Sequence, residues 1–487
     1  MTMTTDSASS SSMSIPICFI ICSIFRGSMP PPPNIRRSSA GARLSVTTLH
    51  DSETVAARSV GNGGILRSFL GKAAEAEGVP TIKDSVHDHI AVEGVAAELL
   101  DTPPVQRLRR ISQLGTVKLV YPSANHTRFE HSLGVYHLAD RALDSLGVEG
   151  VEAERVRAAA LLHDVGHAPF SHNVEGLIHR ETGLYHDDVT ELLVDSAVGE
   201  VLRDHGLDPE RVAGLIAGEH RYGQLVSGEL DVDRMDYLVR DAHHTGVPYG
   251  TIDHERLVRE LTFADGELVL AEGNVQTAES LLLARALMNP TVYTQHTARI
   301  SKAMLQRATE RLLDVTEWTP RDVRRWDDYD LLSALRRTDA TSEFARRYDE
   351  RQLFKRAVWA EYEDVPDRVR GFDHERADTA ERAIADRAEV DPREVIVDVE
   401  REPAMRESTS KVIVNGEVRR LEEESPLVSA LRDVQHQRWR LGVYCPGKAV
   451  DRVGAAAVDE LGLDAETAPV SEVRGNVHAT LDEFGTE

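Results

Sequence analysis

Four side chains with metal-binding chemistry interrupt stretches that otherwise read as apolar helix, in the order H…HD…D: His131, the adjacent pair His163 and Asp164, and Asp233. His131 lies in RFEHSLGVYHLADRAL, where Phe129, Leu133, Val135 and Leu138 make an approximate helical apolar stripe. The pair closes the run AAALLHDVGHAPFSH, which delivers ionisable groups to a buried place. Burying them without partners is costly, so the fold must supply compensation. A divalent cation would do so: two imidazoles and two carboxylates suit Mn, Fe, Ni, Zn or Mg and leave positions open for a substrate. Spacing alone also allows four unrelated polar residues.

The surrounding blocks narrow this. RLRRISQLGTVKLVYPSANHTRFEHSLGV, LLHDVGHAPFSH and ELDVDRMDYLVRDAHHTG, in that order, resemble the HD-domain metal-dependent phosphohydrolases, and within them the deoxynucleoside triphosphate triphosphohydrolases (dGTPase-like enzymes). The resemblance covers roughly residues 80 to 300. It implies a mainly α fold, an HD-domain helical core and one divalent metal ion per site on His131, His163, Asp164 and Asp233. It also implies His167 and His186 as catalytic side chains, with Glu175 where the family often has Asp. Arg128, His172 and Arg234 match its phosphate contacts, and Gln113, Leu114, Tyr237 and Asp241 its deoxyribose contacts. Arg285 and Tyr293 match a base-side and phosphate-side pair. Asp101, Gln106, Arg109 and Arg256 match parts of an activating nucleotide site between subunits, and Pro80 replaces one of its basic positions. The implied substrates are deoxynucleoside triphosphates, dGTP first, cleaved to deoxynucleoside and tripolyphosphate. The implied assembly is a homo-oligomer, dimer or tetramer. Two alternatives stay open: another HD phosphohydrolase or phosphodiesterase acting on nucleotides, and a non-catalytic nucleotide sensor.

HDVGH also looks like the H-E-x-x-H of zinc peptidases, with His163 and His167 one turn apart. That motif needs a continuous helix to aim both rings at zinc. Gly166 and Pro169 break the helix here, which disfavours a peptidase.

With 56 basic against 81 acidic residues the net charge is −25, and seven of the 56 are Lys. An acidic, Lys-poor surface reads as adapted to a salt-rich, haloarchaeal type of cytoplasm. It argues against non-specific nucleic-acid binding, which needs basic surface to displace counterions. An anionic small substrate remains possible: at molar salt the Debye length is about 3 Å, so local Arg residues decide. Cys18, Cys22 and Cys445 make neither a disulfide framework nor a zinc knuckle, consistent with a reducing, cytoplasmic compartment.

Residues 1–75 read as a disordered or mis-started extension. The apolar run from Ile15 to Phe25 is too short for a bilayer and lacks a preceding basic region, while Met3, Met13 and Met29 offer later starts. No stable membrane association is expected. Residues 76–320 read as the HD core, mostly helical, with a break at Pro103–Pro104 and one hairpin turning at Asp265–Gly266. Residues 321–487 read as a helical and α+β C-terminal region. In it RDVRRWDDYDLLSALRRTDATSEFARRYDERQLFKRAV is expected to be amphipathic helix, EVIVDVE a strand, and Asn415–Gly416 a hairpin turn.

Overall fold

Helices dominate the computed structural model, which describes residues 81–400 and 410–464. The expected extension over 1–75, Pro80 and residues 465–487 lie outside the described residues. The chain is mainly α with a small α+β C-terminal region, as its patterning predicts. Among the described residues no helix is long and apolar enough to cross a membrane.

The described chain opens with an antiparallel hairpin, β1 (Thr81–Asp84) and β2 (Asp88–Ala91), which the sequence reading missed. Helices α1 (Gly94–Leu100) and α2 (Pro103–Arg107) follow, and the second begins on the two prolines, where missing amide donors cost nothing. The site is carried by α3 (Arg128–Leu146), α4 (Gly150–Leu162), α5 (Glu175–Thr182) and α6 (Val232–Thr245). A capping box of Thr127 and Glu130 starts α3 and Gly147 ends it at φ 63°. Its buried residues include Phe129, Leu133, Val135 and Leu138, the stripe read from the sequence. They join one core with α4 residues Val156, Leu161 and Leu162 and with Met235 and Leu238 of α6.

Both expected hairpins form. Asp265 and Gly266, at φ 52° and 86°, join β3 (Leu261–Ala264) to β4 (Glu267–Leu270). Asn415 and Gly416, at 51° and 78°, join β7 (Lys411–Val414) to β8 (Glu417–Arg420). Left-handed backbone at both central positions is what a tight hairpin turn needs. A parallel pairing of Leu270 with Val412 fuses the two hairpins into one sheet of order β3-β4-β7-β8.

Between them, α7 (Val275–Met288) and α8 (His296–Val315) flank a π-helical turn at Asn289–Tyr293. Then come α9 (Pro320–Arg325), α10 (Asp328–Arg337) and α11 (Asp339–Asp349). The expected amphipathic stretch does not stay helical to its end: Lys355–Glu361 is strand β5, pairing antiparallel with β9 (Arg440–Cys445). Strand β6 (Ile396–Val399) pairs with the other edge of β9, and the three-stranded sheet packs its apolar residues on α12 (His374–Ala388) and α13 (Val450–Leu461). Packing runs continuously across position 320: Ala168, Phe170, Val174 and Ile178 share a buried cluster with Leu305, Leu312, Val323, Leu331 and Leu335.

Candidate active site

His131 sits in the first turn of α3, wholly buried. Its Nδ1–H donates to Asp236 Oδ2 at 2.7 Å, which leaves Nε2 to face the site. His163, the C-cap residue just after α4, donates Nδ1–H to the Ala160 carbonyl at 2.9 Å, and its Nε2 faces the same place. The two Nε2 atoms are 3.3 Å apart. Asp233 Oδ1 lies 2.8 Å from His131 Nε2 and 3.6 Å from His163 Nε2. Asp164 brings Oδ1 to 3.4 Å from His163 Nε2 and Oδ2 to 3.7 Å from His131 Nε2. Donor atoms bound at about 2.1 Å to one tetrahedral or octahedral ion stand about 3.0–3.4 Å apart, so the quartet has the right span. Both ring tautomers are fixed by acceptors behind them, as metal-binding imidazoles require.

The electrostatics ask for a cation too. Although burial opposes it, hydrogen bonds to Asp233 and Asp236 push the His131 imidazole up to about 10. Burial alone would raise Asp164, but the Arg128 guanidinium beside it holds its carboxyl well below the usual range. A metal ion would take the place of the His131 proton. Loading the metal-free protein near neutral pH is therefore expected to release about one proton. Calorimetry in buffers of different ionisation heat measures this, and a binding enthalpy independent of buffer contradicts it.

Asp236, absent from the sequence reading, anchors this arrangement. It accepts from His131, from His87 Nε2 at 2.6 Å and from Arg240, which also binds Asp84. Gly134, one turn beyond His131, makes room for it: a Cβ there would stand 1.9 Å from Asp236 Oδ1. The available signal was spacing, because Asp233 and Asp236 are three residues apart on one helix face.

A second group lies beside the quartet. The rings of His167 and His186 stack at 4.3 Å with 11° between their planes. Glu175 Oε1 accepts from His186 Nδ1 at 2.5 Å and Oε2 from His172 Nδ1 at 2.8 Å. Against burial, which favours the neutral ring, Glu175 raises the His186 pKa above its ordinary value. Burial, then the charges of Arg128 and His186, push His167 well down. Two stacked imidazoles are thus driven in opposite directions, a pattern that separates proton donors from neutral partners. His167 Nε2 is 3.1 Å from Asp164 Oδ1 but outside hydrogen-bond geometry, and among the described residues neither buried ring nitrogen has a hydrogen-bond partner.

The turn carrying these groups is strained. Phe170 and Ser171 both have φ 56°, at a cost of about 1–3 kcal/mol each for non-glycine residues. Asp328 of α10 accepts the Phe170 amide at 2.6 Å, and Ser171 Oγ bridges Arg128 Nε and the Ser112 carbonyl.

A cavity of about 380 Å³ opens over both groups, lined by Asp164, Asp233, His167, His172 and His186. Gln113, Leu114, Arg128, Tyr237, Asp241, Arg285 and Tyr293, all candidates for substrate contact in the sequence, also line it. Tyr293 Oη donates to Asp241 Oδ2 at 2.9 Å, and His126 holds the other oxygen at 2.8 Å. Thr116, Asn173, Asn289, Thr294 and Lys302 are lining residues the sequence reading did not name. Arg234 is not on the wall; its guanidinium binds the Gly228 and Glu229 carbonyls of the preceding loop. Asp101, Gln106 and Arg109 lie apart from the cavity at α1–α2, where Gln106 binds the Leu100 carbonyl and Arg109 stacks over Phe129. Arg256 binds Asn274 instead, so within this chain no described contact joins it to those three.

Residues 128–241 match the HD domain and residues 252–472 the HD associated region. A Methanocaldococcus jannaschii protein of uncharacterized function is 32% identical over 379 residues, 76% of this chain and 80% of that one. The chain belongs to the HD-domain phosphohydrolase family. HD domains bind divalent metals, which fits the donor set above. The human deoxynucleoside triphosphate triphosphohydrolase SAMHD1 is 30% identical over 288 residues, 49% of this chain and 46% of that enzyme, so the HD chain spans about half the length of that relative. Among solved structures, a hypothetical protein from Aquifex aeolicus aligns with TM-score 0.64 and 30% identity over 77% of this chain and 99% of its own. A phosphohydrolase from Bacteroides thetaiotaomicron aligns with TM-score 0.61 and 26% identity over 75% and 100%.

Proposed function

We propose that the chain hydrolyses deoxynucleoside triphosphates, dGTP favoured, to deoxynucleoside and tripolyphosphate. The observation that carries this reading is the cavity lined both by Asp164 and Asp233 of the quartet and by the sugar-side residues Gln113, Leu114, Tyr237 and Asp241. The similarity to SAMHD1 supports it as well. A divalent ion on His131, His163, Asp164 and Asp233 would supply an activated water and neutralise charge on phosphate. Arg128, His172 and Arg285 line the same cavity and suit phosphate oxygens. His186, whose protonated form Glu175 favours, gives a proton to the departing 5′-oxygen. His167, whose burial disfavours the charged ring, stacks against it and lines the same cavity. Tyr237 packs on the deoxyribose face, and Asp241 accepts from the 3′-hydroxyl.

One observation favours a two-metal phosphodiesterase instead: ligand atoms of His167, His172, Glu175 and His186 all lie within 4.8 Å of one another. The near-parallel rings of His167 and His186 weigh against it, since their lone pairs lie in separate planes and do not converge. Metal analysis is expected to give one ion per chain. On kinetics, kcat/KM is expected to be about 10-fold or more higher for dGTP than for GTP, and equal values contradict the sugar assignment.

A further inference from the structure

The two stacked histidines come from different loops. His167 lies in the turn after α4, and His186 lies between α5 and the helix Thr190–Val194. Because the rings sit on separate loops, their register is set by what holds those loops. Glycine makes the approach possible: a Cβ on Gly166 would stand 2.0 Å from the His186 carbonyl oxygen. What fixes it is α9 and the residue after it. Arg324, buried, donates from Nη2 to the Tyr185 carbonyl at 3.0 Å and the Asp188 carbonyl at 2.7 Å, on either side of His186. Two residues on, the Trp326 carbonyl accepts from Arg107 Nη1 at 2.7 Å. Arg107 Nη2 in turn binds the Val165 and His167 carbonyls, each at 2.8 Å. One short helix thereby reaches both loops.

We propose that Arg324 is a positioning residue, whose guanidinium caps the His186 loop and keeps that ring stacked on His167 with Glu175 behind it. Arginine suits the task because its planar fork offers several donors in fixed directions and stays charged when buried. Here those donors meet backbone carbonyls of the loop. The neighbouring Arg321 and Arg325 do something different: both are exposed and pair with the Glu191 carboxylate at 3.1 and 3.2 Å. Such exposed pairs contribute little, which makes them an internal control.

The kinetic half of this proposal rests on the phosphohydrolase reading; the structural half does not. The test compares Arg324→Gln, Arg324→Lys and the double variant Arg321→Ala/Arg325→Ala in the full chain. With metal and dGTP, Arg324→Gln is expected to lower kcat about 10- to 100-fold at a KM within about threefold of wild type, with metal content unchanged. Arg324→Lys is expected to recover part of that loss, since one ammonium reaches one of the two carbonyls. The double variant is expected to stay within about twofold. In parallel, 13C-histidine NMR of the metal-free protein reads the ring-current shift of the His186 Cε1–H, with His167→Ala marking its unstacked position. Movement of that resonance toward the unstacked position in Arg324→Gln, and less in Arg324→Lys, supports the proposal. A His186 resonance and kcat in either Arg324 variant equal to wild type, or a kcat loss matched by the double variant, overturns it. If the wild-type protein does not turn over dGTP, the phosphohydrolase reading fails and the NMR shift alone decides the role of Arg324.

Discussion

Replacing Asp164 with Ala is expected to remove turnover and most bound metal together. Asp164 is buried and lies close to several groups of the centre: His163 Nε2 at 3.4 Å, His131 Nε2 at 3.7 Å, His167 Nε2 at 3.1 Å, with both of its oxygens accepting from Arg128 Nη1. Losing one of the anionic ligands leaves a site that is short of a donor and of charge. Metal-ion catalysis contributes several kcal/mol, so kcat is expected to fall by about 10³-fold or more. The metal-free variant is also expected to unfold more easily, by about 3–5 kcal/mol, because the buried Arg128 guanidinium loses its carboxylate. Asp164→Asn separates the two effects: its amide oxygen still accepts from Arg128 while the metal-binding charge is gone. Rate, metal content and melting are measured on the same preparations. Full metal occupancy with wild-type rate in Asp164→Ala contradicts the ligand assignment.

His186→Ala is expected to lower kcat by about 10²–10⁴-fold while KM moves little. The reason is geometric as well as electrostatic. His186 lines the cavity, and Glu175 binds both its ring Nδ1 and its backbone amide, the latter at 3.3 Å. A proton donor is active below its own pKa. Because Glu175 raises that pKa, wild-type kcat is expected to decline only as pH rises past the ordinary histidine range. Glu175→Gln moves the decline to lower pH, and His186→Ala abolishes it. A profile of kcat against pH with the same alkaline limb in all three proteins would leave His186 a structural residue.

Much of this centre was legible because its chemistry is local. The HD pair, the early His of α3 and the Asp of DVDRMD are ionisable groups inside apolar helical patterns, and such residues need a reason to be there. The Asp-Gly and Asn-Gly turns were legible because two positions of positive φ demand those residue types. What stayed hidden depends on partners far along the chain. The hairpin Thr81–Ala91 carries no Gly or Pro at its turn; Asp84 builds it by accepting the Val86 and His87 amides, and Asp88 takes φ 63°. Strand β5 follows soon after charged helix, and among the described residues its strand partner is the distant β9. Arg234 lies next to a metal ligand and so read as a phosphate contact, yet loop carbonyls hold its side chain away from the cavity wall. Arg324 and Asp328 read as solvated helix charge, and only the fold shows that they hold loops carrying His186 and Phe170.

The central claim is the reaction, and its product tests it most directly. Metal-loaded protein incubated with dGTP and followed by 31P NMR is expected to show tripolyphosphate appearing in step with deoxyguanosine. Orthophosphate or pyrophosphate as the first product, or no product from metal-replete protein, would contradict it.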